Sequence, residues 1–293
     1  KVAPYTRGML ETFKNNIITC LMMATSKGRG SFDIDIGDTF LYGLAPLPYI
    51  TGLIPLGLSD QFHMEFLPPV KEAVDMTFSE RNKRGFKMGL GKGIDFFFGM
   101  GSVAYYVSMS VASLSGSGRK GGSSLKKLFS MSPSMALKYI RAKRQCRKED
   151  RTLMPKDLFK LKGFLCAGTD NRCYKDDLEE LWGVRPVEVF AGTEPSFVGT
   201  ETWNRLYFFP DACFYEFIPE EEMYRNMDDP SYVPRTVCMD EVVPGEVYEL
   251  VPTVLRGGAF ARYRVGDMYR CLGLASKDDE TRIPRFEYID RVP

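Results

Sequence analysis

The chain has 293 residues, 44% of them hydrophobic, with 39 basic and 38 acidic side chains and a net charge of +1. That length suits one large domain or two small ones, and the apolar share is ample for a packed core. The near-neutral balance gives no global field to draw nucleic acid or a membrane surface, so neither is expected as a partner. Seven cysteines, none in a C-x-x-C pair, argue against a zinc knuckle and fit the reduced thiols of a cytoplasmic protein. The chain starts at Lys1 and stops at Pro293, just past Asp290 and Arg291. Both ends read as cut, so a piece of a longer protein is expected.

Residues 6–27 show helical periodicity, with Met9, Leu10, Phe13, Ile17, Leu21 and Met22 on one side. A Gly/Pro-rich stretch over 28–69, with short apolar runs such as Phe40-Leu41-Tyr42, reads as strand and loop. A second helix is predicted over 72–83, just past Pro68-Pro69. The largely apolar span 93–114 is expected to form one or two buried helices. Its part 96–114 carries Gly, Ser and two Tyr, and falls short of the ~20 apolar residues that span a bilayer. A Gly/Ser-rich loop over 115–124 and a basic helix over 125–147 follow.

The second half changes character. A short apolar run at 164–167 ends at Gly168, a helix follows over 174–182, and a strand over 187–190. Consecutive strands are then predicted at 206–209, 214–218, 247–253, 260–264, 268–272 and 286–289. Strand–helix alternation giving way to consecutive strands indicates α/β with a β-rich C-terminal subdomain. The expected division is an α/β part over 1–160 and a motif-bearing, β-rich part over 161–293.

Some signals point away from chemistry. Gly116-Ser117-Gly118-Arg119-Lys120-Gly121 fits G-x-G-x-x-G but lacks the preceding strand and the later acidic residue of a dinucleotide site. Gly89-Leu90-Gly91-Lys92-Gly93 has no Ser or Thr after its Lys, so it is no Walker loop. The basic run from Lys138 to Arg151 has one aromatic, Tyr139, and closes on Glu149-Asp150, the pattern of a solvated face. His63, the one histidine, sits among Phe62, Met64 and Phe66 and reads as a core or pocket residue. No G-x-S-x-G elbow accompanies it.

Two segments remain. In VEVFAGTEPSFVG, over 187–199, a strand ends at Phe190 and a turn at Ala191-Gly192 presents Thr193 and Glu194. Ligands bind at the C-terminal ends of strands in α/β sheets. There an aromatic stacks on a purine, a hydroxyl bonds phosphate, and a carboxylate holds Mg²⁺; an ordinary strand-to-loop turn has the same pattern. In AFARYRVGDMYRC, over 259–271, two strands flank Gly266-Asp267, read as a hairpin turn. Asp267 serves either that turn or the two hydroxyls of a ribose, and Arg262, Arg264 and Arg270 either pair with acids or meet phosphate.

Together these segments resemble the auxin-responsive Gretchen Hagen family of acyl-acid amido synthetases, in the adenylate-forming superfamily. FAGTE at 190–194 is similar to that family's Tyr-Gly-x-Ser-Glu motif, with Phe190 in place of Tyr and Ala191 in place of Gly. YFFPDACFYEFIP (207–219), GEVYELVPT (245–253), RYRVGD (262–267) and PRFEYIDR (284–291) resemble further family segments in the same order. The first four residues resemble the tail of a phosphate-binding glycine loop, which is expected upstream, with a small lysine-bearing domain downstream.

The resemblance implies the large N-terminal adenylation domain of that superfamily. It implies ATP-dependent activation of a small carboxylic acid as its acyl-adenylate, then transfer to the amine of an amino acid. CoA as acceptor, or a non-catalytic nucleotide-binding relative, is the alternative. By the same resemblance Phe190 stacks on adenine, Ala191 and Gly192 shape the turn beside the nucleotide, and Thr193 contacts phosphate. Glu194 holds Mg²⁺ and, with Thr193, serves catalysis. Asp267 binds the ribose, Arg291 touches the nucleotide near the hinge, and Gly168 lies along the adenine.

Overall fold

Phe96, Phe97 and Phe98 are all buried, at 0–1% exposure. Side chains of a strand point alternately to its two faces, so such a run needs cover on both. In the computed structural model, which describes residues 3–59, 63–116, 131–168, 171–203, 205–274 and 283–293, these phenylalanines form a strand inside a parallel sheet. The chain divides into two compact units, Asp33–Glu188 and the pair of segments Lys1–Phe32 with Val189–Pro293.

Helix α1 (Arg7–Thr25) opens the chain and belongs to the second of these units. In Asp33–Glu188 the strands are β1 (Thr39–Gly43), β2 (Glu65–Leu67), β3 (Phe96–Gly99) and β4 (Gly163–Cys166), with the first two residues of β5 (Val187–Gly192). They run parallel in the order β2-β1-β3-β4-β5. The helices between them are α2 (Ile54–Ser59), α3 (Val70–Ala73), α4 (Phe78–Lys92), α5 (Gly101–Gly116), α6 (Pro133–Lys148), α7 (Pro155–Leu158) and α8 (Asn171–Trp182).

The core of this parallel unit centres on Trp182. Its ring lies 5.8 Å from Phe97, 6.0 Å from Phe159 and 5.7 Å from Phe164, and its Nε1 donates to Ser108 Oγ at 2.9 Å. Helix α6 buries Met135, Tyr139, Ala142 and Cys146, one apolar stripe at helical spacing. Lys138, Arg141, Arg144 and Arg147 face solvent.

Three expectations are corrected. The span 93–114 is not all helix, because 96–99 is the strand β3 and the helix starts only at Gly101. An apolar run of four cannot be told from buried helix by periodicity. The helix expected at 72–83 is two: α3 ends at Ala73, and a capping box between Thr77 and Glu80 restarts the chain as α4, which runs on to Lys92. His63 is exposed, and its backbone oxygen accepts from Gly37 N at 2.8 Å. The Gly/Ser-rich stretch from 117 onward, and with it most of the 116–121 motif, lies outside the described residues.

The other unit is antiparallel. It holds β5 from Val189, β6 (Ser196–Thr202), β7 (Arg205–Phe208), β8 (Cys213–Pro219), helix α9 (Glu220–Asp228), β9 (Val237–Cys238), β10 (Val247–Val254), β11 (Asp267–Gly273) and β12 (Arg285–Arg291). The sheet order is β5-β6-β7-β12-β11-β10-β8-β9. Helix α1 packs on β6, with Phe13 and Phe197 rings 5.1 Å apart. The units therefore differ from a cut at 160, since α1 buries its apolar face among the later strands.

One aromatic cluster fills this second core. Phe208 lies 4.8 Å from Phe286, 5.2 Å from Tyr215 and 5.1 Å from Tyr269, and Phe217 stacks on Phe286 at 5.2 Å. Among the described residues no helix is long and apolar enough to cross a membrane.

Ser108 tests the packing around Trp182. Ser108→Ala strands a buried indole N–H, and an unpartnered buried donor costs about 1–3 kcal/mol. Urea denaturation is expected to show a loss of that size, and unchanged stability would mean that the indole finds another acceptor.

Candidate functional site

The segment expected as strand 260–264 and hairpin turn takes another form. Residues 260–264 are not a strand, and Asp267 is the first residue of β11. Arg262, with φ 48°, breaks the extended run, and the segment instead bonds to β10 through Arg262 N to Thr253 Oγ1 at 2.8 Å and Tyr263 N to Pro252 O at 3.0 Å. Gly266 takes φ 82°, where a Cβ would be strained, and turns the chain into β11.

Asp267 and Tyr269 share one face of β11, being two residues apart. Opposite them on β12 stand Arg291 and Tyr288, three residues apart, which a regular strand would point to opposite faces. A β-bulge at Ile289 adds the residue that brings both to the Asp267 side. Ile289 itself packs on the other side against the core of Ile218, Met223, Val251 and Met268.

The side chains confirm this register. Arg291 Nε donates to Asp267 Oδ1 at 3.1 Å. The Tyr269 and Tyr288 rings are 5.6 Å apart, and Phe190 on β5 lies 5.8 Å from Tyr269 and 6.0 Å from Tyr288. The Phe190 ring is half-buried at the edge of the tyrosine pair.

Electrostatics single out Asp267. Its side chain is 19% exposed, and burial raises its carboxyl above the usual range, against the pull of the Arg291 cation. Burial, with the Asp267 and Asp290 carboxylates nearby, pushes the Tyr288 phenol up. A carboxylate that is largely desolvated and, among the described residues, matched by one exposed arginine is suited to accept hydroxyl donors.

Thr193 and Glu194 follow in the turn after β5. Tyr5 Oη donates to the Thr193 carbonyl at 2.6 Å, and burial pushes the Tyr5 phenol up to about 12. The Thr193 side chain is exposed. Glu194 Oε1 accepts from Tyr263 Oη at 2.9 Å, which fixes the carboxylate. The expected turn at Ala191-Gly192 is instead the end of β5: past a bulge between Phe190 and Ala191 the strand still pairs with β6 through Ala191 and Gly192, the first exposed and the second half-buried, and the turn begins at Thr193.

Thus Phe190, Asp267 and Arg291 meet in one cluster with two tyrosines, while Thr193 and Glu194 belong to the adjoining turn. Gly168 lies in the parallel unit, where φ 128° turns the chain out of β4 and its carbonyl accepts from Asn171 Nδ2 at 2.8 Å. The arginines of the motif pair with acids. Arg264 forks onto the buried Glu249 at 2.8 and 2.5 Å, Arg262 meets Glu216 at 3.1 Å, and Arg270 faces Glu287 at 3.8 Å. Tyr5, Tyr263, Tyr269 and Tyr288 went unassigned in the sequence. Three of them stand inside recognised motifs, but only the register shows which face each takes.

Residues 206–291 match the family model described as the GH3 family central domain. Over that segment the chain matches the family that its motifs resemble. Among solved structures it is similar to the acyl acid amido synthetase AtGH3.15 in complex with 2,4-DB, with TM-score 0.64 and 16% identity, over 99% of this chain and 53% of that one. It is also similar to an open conformation of 2-hydroxyisobutyryl-CoA ligase in complex with 2-HIB-AMP and CoA, with TM-score 0.58 and 15% identity, over 99% and 51%. The fold is that of adenylate-forming enzymes, and the chain spans about half the length of these structures. No curated protein sequence matches it significantly.

The burial of Asp267 has a measurable consequence. A carboxyl raised above its unfolded value of ~3.9 favours folding only while protonated. Its contribution is full below that value and lost as pH rises through the folded-state value. Asp267→Asn is therefore expected to raise Tm at pH 7 and to leave it unchanged in acid, by differential scanning fluorimetry. A lower Tm for the variant at pH 7 would show that the Arg291 pair outweighs the burial.

Proposed function

We propose that this chain, GH3-like over 206–291 and folded as adenylate-forming enzymes are, is the ATP-binding core of a ligase that activates a carboxylic acid and passes it to an amino acid amine. The observation that carries the reading is the cluster of Phe190, Tyr288, Asp267 and Arg291, an aromatic edge beside a desolvated carboxylate with a guanidinium at its rim. Those are the groups that an adenine, a ribose and a phosphate need.

In this reading the acid's carboxylate oxygen attacks the α-phosphorus of ATP and pyrophosphate leaves. The amine nitrogen then attacks the acyl carbon and AMP leaves. Phe190 stacks on the base, Asp267 accepts both ribose hydroxyls, and Arg291 reaches the nucleotide from the edge. Thr193 donates to phosphate, with Ala191 and Gly192 ending the strand that presents it beside the nucleotide, and Gly168 lies along the adenine. Tyr263 occupies one Glu194 oxygen and leaves the other as a hard donor, which fits Mg²⁺, an ion that takes one or two carboxylates plus phosphate and water. When bound, Mg²⁺ would supply charge neutralisation at the phosphates. The protein's own share is placement of the reacting groups. The free cysteines of the described structure accord with a cytoplasmic location.

A CoA thiol as acceptor is the second reading, favoured by the shared fold of a CoA ligase. Acyl transfer to amino acids against CoA, with the same acid and ATP, separates the two.

Calorimetric ATP titration tests the site itself. A charge-assisted hydrogen bond contributes about 1.5–3 kcal/mol, so losing two weakens binding by roughly 10²-fold or more. Asp267→Ala is expected to lose that much and Asp267→Asn less. Phe190→Tyr is expected to keep affinity and Phe190→Ala to lose about tenfold or more, since stacking on an aromatic contributes about 1–3 kcal/mol per base. Unchanged ATP affinity in folded Asp267→Ala would remove the ribose role and the reading with it.

A further inference from the structure

The turn that carries Thr193 and Glu194 is held in an uncommon shape. It runs from Gly192, the last residue of β5, to Ser196, the first of β6, and these two pair with each other. Ser196 takes φ 65° at 8% exposure. A serine in that left-handed region is uncommon, and such a conformation persists where the surroundings fix it. Two tyrosine hydroxyls grip the turn. Tyr5 Oη donates to the Thr193 carbonyl oxygen at 2.6 Å, and Tyr263 Oη donates to Glu194 Oε1 at 2.9 Å. One holds backbone and the other a side chain, on consecutive residues.

Tyr5 stands on a fixed base. The next residue, Thr6, is the N-cap of α1, where its hydroxyl oxygen accepts from Met9 N at 3.1 Å and donates to the Arg256 carbonyl at 2.6 Å. Helix α1 in turn packs on β6 through Phe13 and Phe197. Tyr5 therefore comes from an element already anchored to the strand on the far side of the turn. Burial pushes its phenol up to about 12, so at neutral pH it stays a neutral donor. The bond sets more than one atom. A peptide unit is planar, so the direction of the Thr193 carbonyl also sets that of the Glu194 N–H, which points the opposite way across the trans bond. Tyr5 thus fixes the peptide between the two residues assigned to phosphate and metal.

We propose that Tyr5 is a positioning residue for the reaction: by holding the Thr193 carbonyl it sets the direction in which Thr193 and Glu194 are presented to the phosphates of ATP. It acts through the peptide that it orients and not by touching the nucleotide. The proposal rests on the nucleotide reading above and adds to it the residue that links the segment before α1 to the phosphate-side turn. Its effect falls on the phosphates and not on the base or the ribose, which that reading gives to Phe190 and Asp267.

Calorimetric titrations of the chain compare ATP with Mg²⁺ against adenosine, which has the base and the ribose but no phosphate. Tyr5→Phe removes one hydroxyl and keeps the ring. It is expected to weaken ATP by roughly two- to tenfold, the size of one neutral hydrogen bond, and to leave adenosine unchanged. Asp267→Ala is expected to weaken both ligands. In the unaltered chain, amide hydrogen exchange read by NMR is expected to slow at Thr193 and Glu194 with ATP and not with adenosine. A general structural role for Tyr5 gives a lower Tm with both ligands weakened alike, or with neither; either result would overturn the proposal while the nucleotide site stands. So would equal exchange at the turn with the two ligands, which decides the matter even where Tyr5→Phe does not fold. Failure of the unaltered chain to bind either ligand would instead remove the nucleotide reading, and this proposal with it.

Discussion

The bulge at Ile289 is the constraint on which the candidate nucleotide site depends. A strand alternates its side chains, so Tyr288 and Arg291 belong to opposite faces unless one residue is added between their partners. With Ile289 as that residue, Tyr288 stands opposite Tyr269 and Arg291 opposite Asp267, all on one side. Ile289 then turns to the core beneath, where Met268, Ile218 and Val251 hold it. The packing of an aliphatic residue on one face thereby sets the chemistry presented on the other.

The aromatic core supports that arrangement from behind. Tyr269 is 1% exposed and touches Phe208, Phe190 and Tyr288, so the edge ring is tied to the interior through one side chain. Interiors pack at crystal-like density, and such a ring has little freedom to shift. Phe190 and Asp267 come from strands far apart in sequence, and the buried ring that Phe190 packs on, Tyr269, stands two residues along β11 from Asp267. Placement of this kind is what a reaction carried mainly by orientation requires.

Charges across the molecule follow a consistent rule, which gives the exceptions their meaning. Buried Glu249 is forked by Arg264, Asp38 is held by Lys162 at 2.9 Å, and Asp157 takes both arms of Arg151 at 2.8 and 2.9 Å. Burial would lower the Lys162 ammonium pKa, and the carboxylates of Asp35 and Asp38 more than reverse it. Against that background two groups stand apart. Among the described residues Asp267 remains desolvated with one exposed partner, and Arg81 has a ring face and no acid. Each desolvated charge carries an energetic cost that a ligand can recover.

Some of this was legible in the sequence because it is local. Helix α1, β4, β5 and five of the six strands expected after residue 205 follow from periodicity and turn residues, and the family resemblance rests on short motifs whose order the chain preserves. The apolar stripe of α6 and its solvated basic face are likewise a matter of helical spacing. What neighbours decide could not be read. Phe96-Phe97-Phe98 is a strand because it pairs with β1 on one edge and β4 on the other, and periodicity does not distinguish that from buried helix. The stretch 260–264 is β-like in composition but bonds irregularly to β10 because Arg262 and Arg264 are drawn to Glu216 and Glu249. His63, flanked by apolar residues, is exposed. The bulge at Ile289, which gathers Tyr288 and Arg291 beside Asp267, and the glycine-lined approach of α4, which buries Arg81, are consequences of two backbones meeting. The sequence by itself determined which residue types were present for nucleotide chemistry, since type and spacing are properties of one segment. Only the tertiary structure decided which of them share a face, because a face is set by register between strands and by how closely a helix can lie on a sheet.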